Sequence, residues 1–227
     1  MATKNGALFI REQIDSILTQ LTAKDELIIS DDHSVDDTIE IIKSYNDSRI
    51  SIFQNNGTGV VDNFENALAY AIGDQIFLAD QDDIWAPNKI QSMVKYLEDY
   101  DVVVCDCTIV DENLNPESIS FFQMNKSNKG LLRNIIRNSY VGCCMAFNRT
   151  VLNKILPFPR NIPMHDLWIG LVAELHYSVY FLDESLVLHR RHSTNASSTA
   201  NQSKRSLIEK VTGRVGLVTN LLRTKYA

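Results

Sequence analysis

Two groups of carboxylates stand out along the 227-residue chain: Asp31-Asp32 with Asp36 close behind, and Asp80-Gln81-Asp82-Asp83. Each follows a short apolar run, residues 26–30 and 75–79. Carboxylates crowded at one strand end repel one another unless a cation or hydrogen-bond donors offset their charge. Mg²⁺ or Mn²⁺ shared with substrate phosphates does this economically, because such ions favour a few carboxylates plus phosphate oxygens. A single aspartate run in a loop is more often a solvated turn, but two at successive strand ends favour a metal and phosphate site. A further acid, Asp166, opens a helical stretch, where it serves as a helix cap, as a proton acceptor, or as both.

The elements that must hold these acids follow from periodicity. Ile10, Ile14, Ile17, Leu18 and Leu21 recur at helical spacing. The strand at 26–30 comes next, then a helix with Ser34 as N-cap and Asp37 three residues on. A strand over 49–54 precedes a helix marked by Val61, Phe64, Ala67, Leu68 and Ala71 and closed by Gly73. After the strand at 75–79, Pro87 suits the first turn of a helix carried by Ile90, Met93, Val94 and Leu97, and a strand over 101–110 follows. This alternation predicts a parallel α/β sheet over the first 110 residues. In such sheets ligands bind beyond the carboxyl ends of the strands, where both acidic groups fall. Residues 111–129 have no clean period. Beyond them lie a strand at 141–147, a helix at 166–175 and strands at 179–182 and 185–190. No apolar strand is legible ahead of the first helix, so the first strand reads as missing, through truncation or replacement.

Composition narrows the classes. A formal charge of -6 argues against a nucleic-acid binder working through a general basic surface, and no apolar run is long enough to cross a bilayer. Cys105, Cys107, Cys143 and Cys144 form no C-x-x-C pair and read as buried free thiols. Between Lys204 and Lys225 six basic residues face one acid, Glu209, with Leu207, Val211, Val215, Val218 and Leu222 on one helical stripe. That tail suits an anionic membrane surface, or packs on its own domain.

Taken in order, Thr3-Lys4-Asn5-Gly6, the run from Ser30 to Thr38, the run from Phe77 to Trp85, Gly142-Cys143, His165-Asp166-Leu167-Trp168 and the run from Arg190 to Asn195 resemble the family 2 glycosyltransferases of GT-A fold. Within that family they resemble bacterial polysaccharide-building, rhamnosyltransferase-like members. The resemblance implies an α/β fold, a GT-A-type, Rossmann-like, mostly parallel sheet flanked by helices. It implies a catalytic domain over 1–198, with a nucleotide-binding half to about 110 and an acceptor half beyond, followed by a basic helical tail over 199–227. The implied reaction is an inverting, metal-dependent transfer of a sugar from a UDP- or dTDP-linked donor to a hydroxyl of a glycan or lipid-linked glycan. It would take place on the cytoplasmic side of the membrane, with peripheral attachment through the tail. By the same resemblance Thr3, Asp32, Asn63 and Asp80 bind the nucleotide and Arg190 the diphosphate. Asp82, Asp83 and His192 hold Mn²⁺ or Mg²⁺, and Asp166 is the catalytic base. Lys4 stands where the family usually has an aromatic residue. The alternatives are a catalytically inactive nucleotide-sugar binding module and another α/β phosphate enzyme, such as a nucleotidyltransferase.

Overall fold

The protein is described by a computed structural model covering residues 1–192, 216, 217 and 219–224. Its elements in chain order are β1 (Ala2–Thr3), α1 (Ile10–Leu18), β2 (Leu27–Asp31), α2 (Thr38–Ser44), β3 (Ile50–Gln54), α3 (Val60–Tyr70), β4 (Gln75–Phe77), β5 (Ile84–Trp85) and α4 (Lys89–Leu97). There follow β6 (Val102–Val110), β7 (Pro116–Ser118), α5 (Phe121–Asn125), α6 (Leu131–Ile136), β8 (Met145–Asn148), α7 (Arg149–Ile155), α8 (His165–His176) and β9 (Val179–Arg190).

The first strand is present after all. Ala2 and Thr3 pair in parallel with Ser30 and Asp31, and the Met1 amine donates to the Ile28 carbonyl at 2.7 Å. Two residues are too few to show a period, so the strand is defined by its ladder and not by its own pattern. β2 pairs in parallel with β3 along its full length, from Leu27 opposite Ile50 to Asp31 opposite Gln54. The second sheet runs β4-β8-β6-β9-β5, with β7 on β6. Here only β6 and β9 are parallel; β4–β8, β5–β9, β6–β7 and β6–β8 are antiparallel. The architecture is thus a mixed sheet flanked by helices, parallel in its first part and not throughout. A parallel bridge between Ala2 and Asp80 joins the two sheets. That bridge brings the two acidic groups side by side.

The core is centred on β6. Val102, Val103, Val104 and Cys105 have no exposed surface, which fits a strand covered on both faces. β8, β9 and α8 close around it, and buried Trp168 donates its indole N–H to the Ile155 carbonyl at 3.1 Å. All four cysteines are free and buried as expected, although Cys143 and Cys144 lie in a 3₁₀ turn, Gly142–Cys144, and not in a strand. Asp37, not Ser34, stands at the start of α2, because the Ser34 hydroxyl is engaged with Asp31. Among the described residues no helix is long and apolar enough to cross a membrane.

The end of the tail packs on the domain through a different face from the one anticipated. Leu217 and Leu221 join the core, the Thr224 hydroxyl meets His176 Nε2 at 3.0 Å, and Leu222 is 54% exposed. Leu207, Val211, Val215 and Val218 lie outside the described residues. Leu221→Ala should lower the unfolding free energy by about 2–4 kcal/mol. Leu222→Ala should change it by less than about 0.5 kcal/mol. Urea denaturation of both variants checks the assignment of the faces; equal losses would contradict it.

Candidate functional site

The first acidic group is satisfied almost wholly by donors. Asp31 accepts from the Ser34 N–H at 2.8 Å and hydroxyl at 2.5 Å and from the Thr3 hydroxyl at 3.0 Å. Asp36 accepts from the Ala7 N–H and from the Thr38 N–H and hydroxyl. Asp32 is 2% exposed and accepts from Asn55 Nδ2 and the Gly59 N–H, both at 3.0 Å, and from Lys4 Nζ at 2.8 Å. Burial alone would raise its pKa, but these donors together hold it below the usual carboxylate range. Thr3 and Asn63 are buried beside it. The Thr3 carbonyl accepts from the Asp32 N–H at 2.8 Å and from Asn63 Nδ2 at 3.0 Å. Thr3, Asp32 and Asn63 are therefore one connected unit at the ends of β1 and β2.

The second group is differently arranged. Asp82 and Asp83 are adjacent in sequence yet face different partners. Asp82 Oδ2 meets His192 Nε2 at 2.9 Å, and the His192 ring packs on Phe9 with centroids 4.7 Å apart. Asp83 is fully buried and accepts from His189 Nδ1 and from the Arg190 N–H, both at 3.0 Å. The antiparallel register sets this pairing: Ile84 lies opposite Leu188, so the residue before one faces the residue after the other. Cys143 Sγ lies 3.7 Å from His189 Nδ1, and Asp83, Cys143 and His189 form a buried trio with metal-ligand spacing. Asp82 and His192, expected together, are brought together; Asp83, expected with them, is turned into the core. Burial and then Asp83 and Asp82 push the Asp80 carboxyl up to about 8. Burial would lower the His189 pKa, but Asp83 and Cys143 raise it well above the ordinary histidine value. His189 is thus a cation beside Asp83. His189 is not among the site residues that the sequence motifs single out, and the β5–β9 register is the signal that finds it.

Gln81 ties this loop to β1, accepting from the Lys4 N–H at 2.8 Å and donating to the Lys4 carbonyl at 3.0 Å. Gly6 leaves room for it, since a Cβ there would sit 2.2 Å from Gln81 Oε1 and push the amide out of place. The Arg190 guanidinium is held on the protein. It pairs with Glu12, donates to the Glu112 carbonyl at 3.2 Å and covers the Phe9 ring at 4.5 Å.

Asp166 occupies the first turn of α8, while Met164 is the cap position. The helix-cap reading therefore falls on Met164, and Asp166 accepts from the Leu167 N–H at 2.5 Å one step inside the helix. Burial raises its pKa to about 6, against the lowering effect of the Leu167 and Gly142 N–H groups and the Asn138 side chain. A carboxyl poised there can exchange a proton near neutral pH. Its neighbour His165 is buried, stacks on Phe64 with centroids 3.8 Å apart and is held neutral by desolvation, with a pKa near 3. Gly142 permits this packing, because a Cβ there would come within 2.7 Å of His165 Nε2.

An α/β domain that gathers its acids beyond the carboxyl ends of its strands is a ligand-binding architecture. The glycosyl transferase family 2 model matches residues 1–156, more than half of the chain, and the protein belongs to that family. It is 29% identical over 214 residues to an uncharacterized glycosyltransferase of Rickettsia typhi, spanning 86% of this chain but only 64% of that protein. It is 26% identical over 215 residues to the Escherichia coli UDP-Glc:alpha-D-GlcNAc-diphosphoundecaprenol beta-1,3-glucosyltransferase WfgD, covering 90% of this chain and 79% of WfgD. Among solved structures it resembles residues 1–349 of S. aureus TarS, crystallised with UDP-GlcNAc. That match has a TM-score of 0.73 at 18% identity and covers 96% of this chain and 65% of the other. The last likeness speaks to fold.

Lys4 bears on nucleotide binding. Its ammonium sits on Asp32 Oδ2, and its own side chain is 58% exposed. A ligand N–H aimed at Asp32 must displace it, and a half-exposed pair is weak enough to be displaced. Lys4→Ala should therefore tighten uridine or UDP binding about 2- to 5-fold by isothermal calorimetry, the affinity equivalent of removing a surface pair worth about 0.5–1 kcal/mol. Weaker binding would mean that Lys4 contacts the nucleotide itself.

Proposed function

We propose that this protein transfers a sugar from a UDP-linked donor, or its dTDP counterpart, to a hydroxyl of a glycan or lipid-linked glycan, with inversion at the anomeric carbon. The setting would be bacterial polysaccharide synthesis on the cytoplasmic side of the membrane. The observation that carries the reading is the pairing of Asp82 with His192, 110 residues apart in sequence, on the loop that Gln81 ties to the nucleotide-side unit of Thr3, Asp32 and Asn63. Family membership supports sugar transfer, and the nucleotide sugars named for WfgD and TarS support a uridine donor.

Each residue has a role in this proposal. Asp32 accepts the N3–H of the base, with Thr3 and Asn63 shaping the pocket floor. Asp82 and His192 supply one carboxylate and one imidazole, a donor set that suits Mn²⁺ or Mg²⁺. Burial is the main cause of the raised Asp80 pKa, the negative charge of Asp83 and Asp82 adds to it, and a divalent cation held here would ease that crowding. When bound, the metal supplies positive charge to the diphosphate leaving group. Arg190 acts indirectly, through its N–H on Asp83 and its pairing with Glu12, and its positive charge favours the nearby diphosphate. Asp83 orients the end of β9 through His189. Asp166 takes the proton of the acceptor hydroxyl as the new O–C1 bond forms and the C1–O bond to the diphosphate breaks. The remaining barrier reduction comes from alignment of the three centres.

The test separates binding from chemistry. Asp166→Asn should leave UDP affinity within about twofold while transfer falls at least about 10²-fold, the usual scale of a lost general base. Because Asp166 must be ionised to act and its pKa is raised to about 6, the parent rate should fall about tenfold per pH unit below 6 and level off above it. Unchanged transfer in the Asn variant would remove Asp166 as the base. Binding of UDP without turnover of any nucleotide sugar in the parent would favour the inactive-module alternative.

A further inference from the structure

We propose that α5 and α6 form a membrane-docking face that rests on the headgroup region of an anionic bilayer. Large apolar side chains are unusually exposed in this short stretch: Ile119 is 76%, Met124 46%, Leu132 77% and Ile136 71% exposed. Leu132 and Ile136 lie one helical turn apart on the same face of α6. Arg137 donates to Asn125 Oδ1 at 2.8 Å and to the Met124 carbonyl at 3.4 Å, and Arg133 donates to the Lys126 carbonyl. These contacts tie the end of α5 to the two arginines at the end of α6.

The charge around the patch has one sign. From Ile119 to Asn138 the chain carries Lys126, Lys129, Arg133 and Arg137 and no carboxylate. All four cations are exposed, and among the described residues none of them forms an ion pair. The nearest acid contributed by α8, Glu174, is turned inward onto the Gly130 N–H, Asn134 and Tyr140. Apolar side chains ringed by uncompensated cations are the complement of a bilayer interface rich in anionic headgroups. A water-facing patch of this kind would otherwise be a liability. The position has a use as well. Asn138, two residues beyond Ile136, is one of the groups that lower the Asp166 pKa, so a docked surface lies close to the proposed base. The docking does not depend on the proposed sugar transfer; only this last advantage rests on it.

The test is vesicle flotation of the full chain with phosphatidylcholine alone or mixed with phosphatidylglycerol. The parent should float with the anionic vesicles at low salt and less so at physiological salt, where the screening length is about 8 Å. Lys126→Glu with Lys129→Glu should weaken vesicle binding more than about tenfold, since each cation near such a surface contributes about fivefold. Leu132→Gln with Ile136→Gln should abolish flotation while leaving the thermal midpoint and transfer to a water-soluble acceptor unchanged. Changing Lys204, Arg205, Lys210 and Arg214 to Gln should leave most of the binding. The proposal is overturned if the parent fails to float, or if the Leu132/Ile136 variant floats like the parent. It is equally overturned if only the tail variant is lost, or if the patch serves a concentration-dependent dimer without vesicle binding. Loss of transfer to the soluble acceptor in the parent would count against the proposed reaction and not against docking.

Discussion

Three carboxylates, Asp83, Asp82 and Asp166, each act on the buried Asp80 carboxyl. Repulsion between like charges in such surroundings is the constraint that organises this end of the molecule. The protein relieves part of it with one strand. The last turns of β9 and the residues just beyond deliver His189 to Asp83, Arg190 to the edge at Glu12 and His192 to Asp82. Asp80 is still raised, first by its burial and then by the charge of Asp83 and Asp82. A divalent cation or an ammonium would be drawn to such a gathering of carboxylates.

The other acidic group solves the same problem by different means. Asp31 and Asp36 are neutralised by N–H and hydroxyl donors from Ser34, Thr3, Ala7 and Thr38, with no cation needed. That leaves Asp32 as the acid of the cluster that meets a positive charge, through the displaceable Lys4 ammonium. The two clusters have similar sequences and contrasting electrostatics. One is a hydrogen-bonded frame of donors, and the other is a buried group of carboxylates met by histidines.

Much of this was legible in the chain. Helical and strand periods located α1, β2, α3, α4, β6 and α8, because each is long enough to bury a face. The placement of both acidic groups at strand ends followed from the same pattern. β1 was not legible, since two residues carry no period and the strand exists only through its pairing with Ser30 and Asp31. Neither were the antiparallel ladders of the second sheet, which depend on pairings between segments up to a hundred residues apart. For the same reason the division between Asp82 and Asp83 escaped a linear reading. It is set by the β5–β9 register, which also assembles Asp83, Cys143 and His189 from three separate segments. At the described end of the tail the buried face holds Leu217 and Leu221 and not Leu222, because its apolar residues are dense enough to support two stripes and only packing selects one.

A cation held by Asp82 and His192 would complete this carboxylate cluster. Thermal unfolding with increasing Mn²⁺ in the presence of UDP measures it, because a ligand bound only by the folded state stabilises by about 2.7 kcal/mol at a hundred times its dissociation constant. The account predicts a rise in Tm of several degrees for the parent protein and little or none for Asp82→Ala or His192→Ala. An equal rise in all three proteins, or none in the parent, would contradict it.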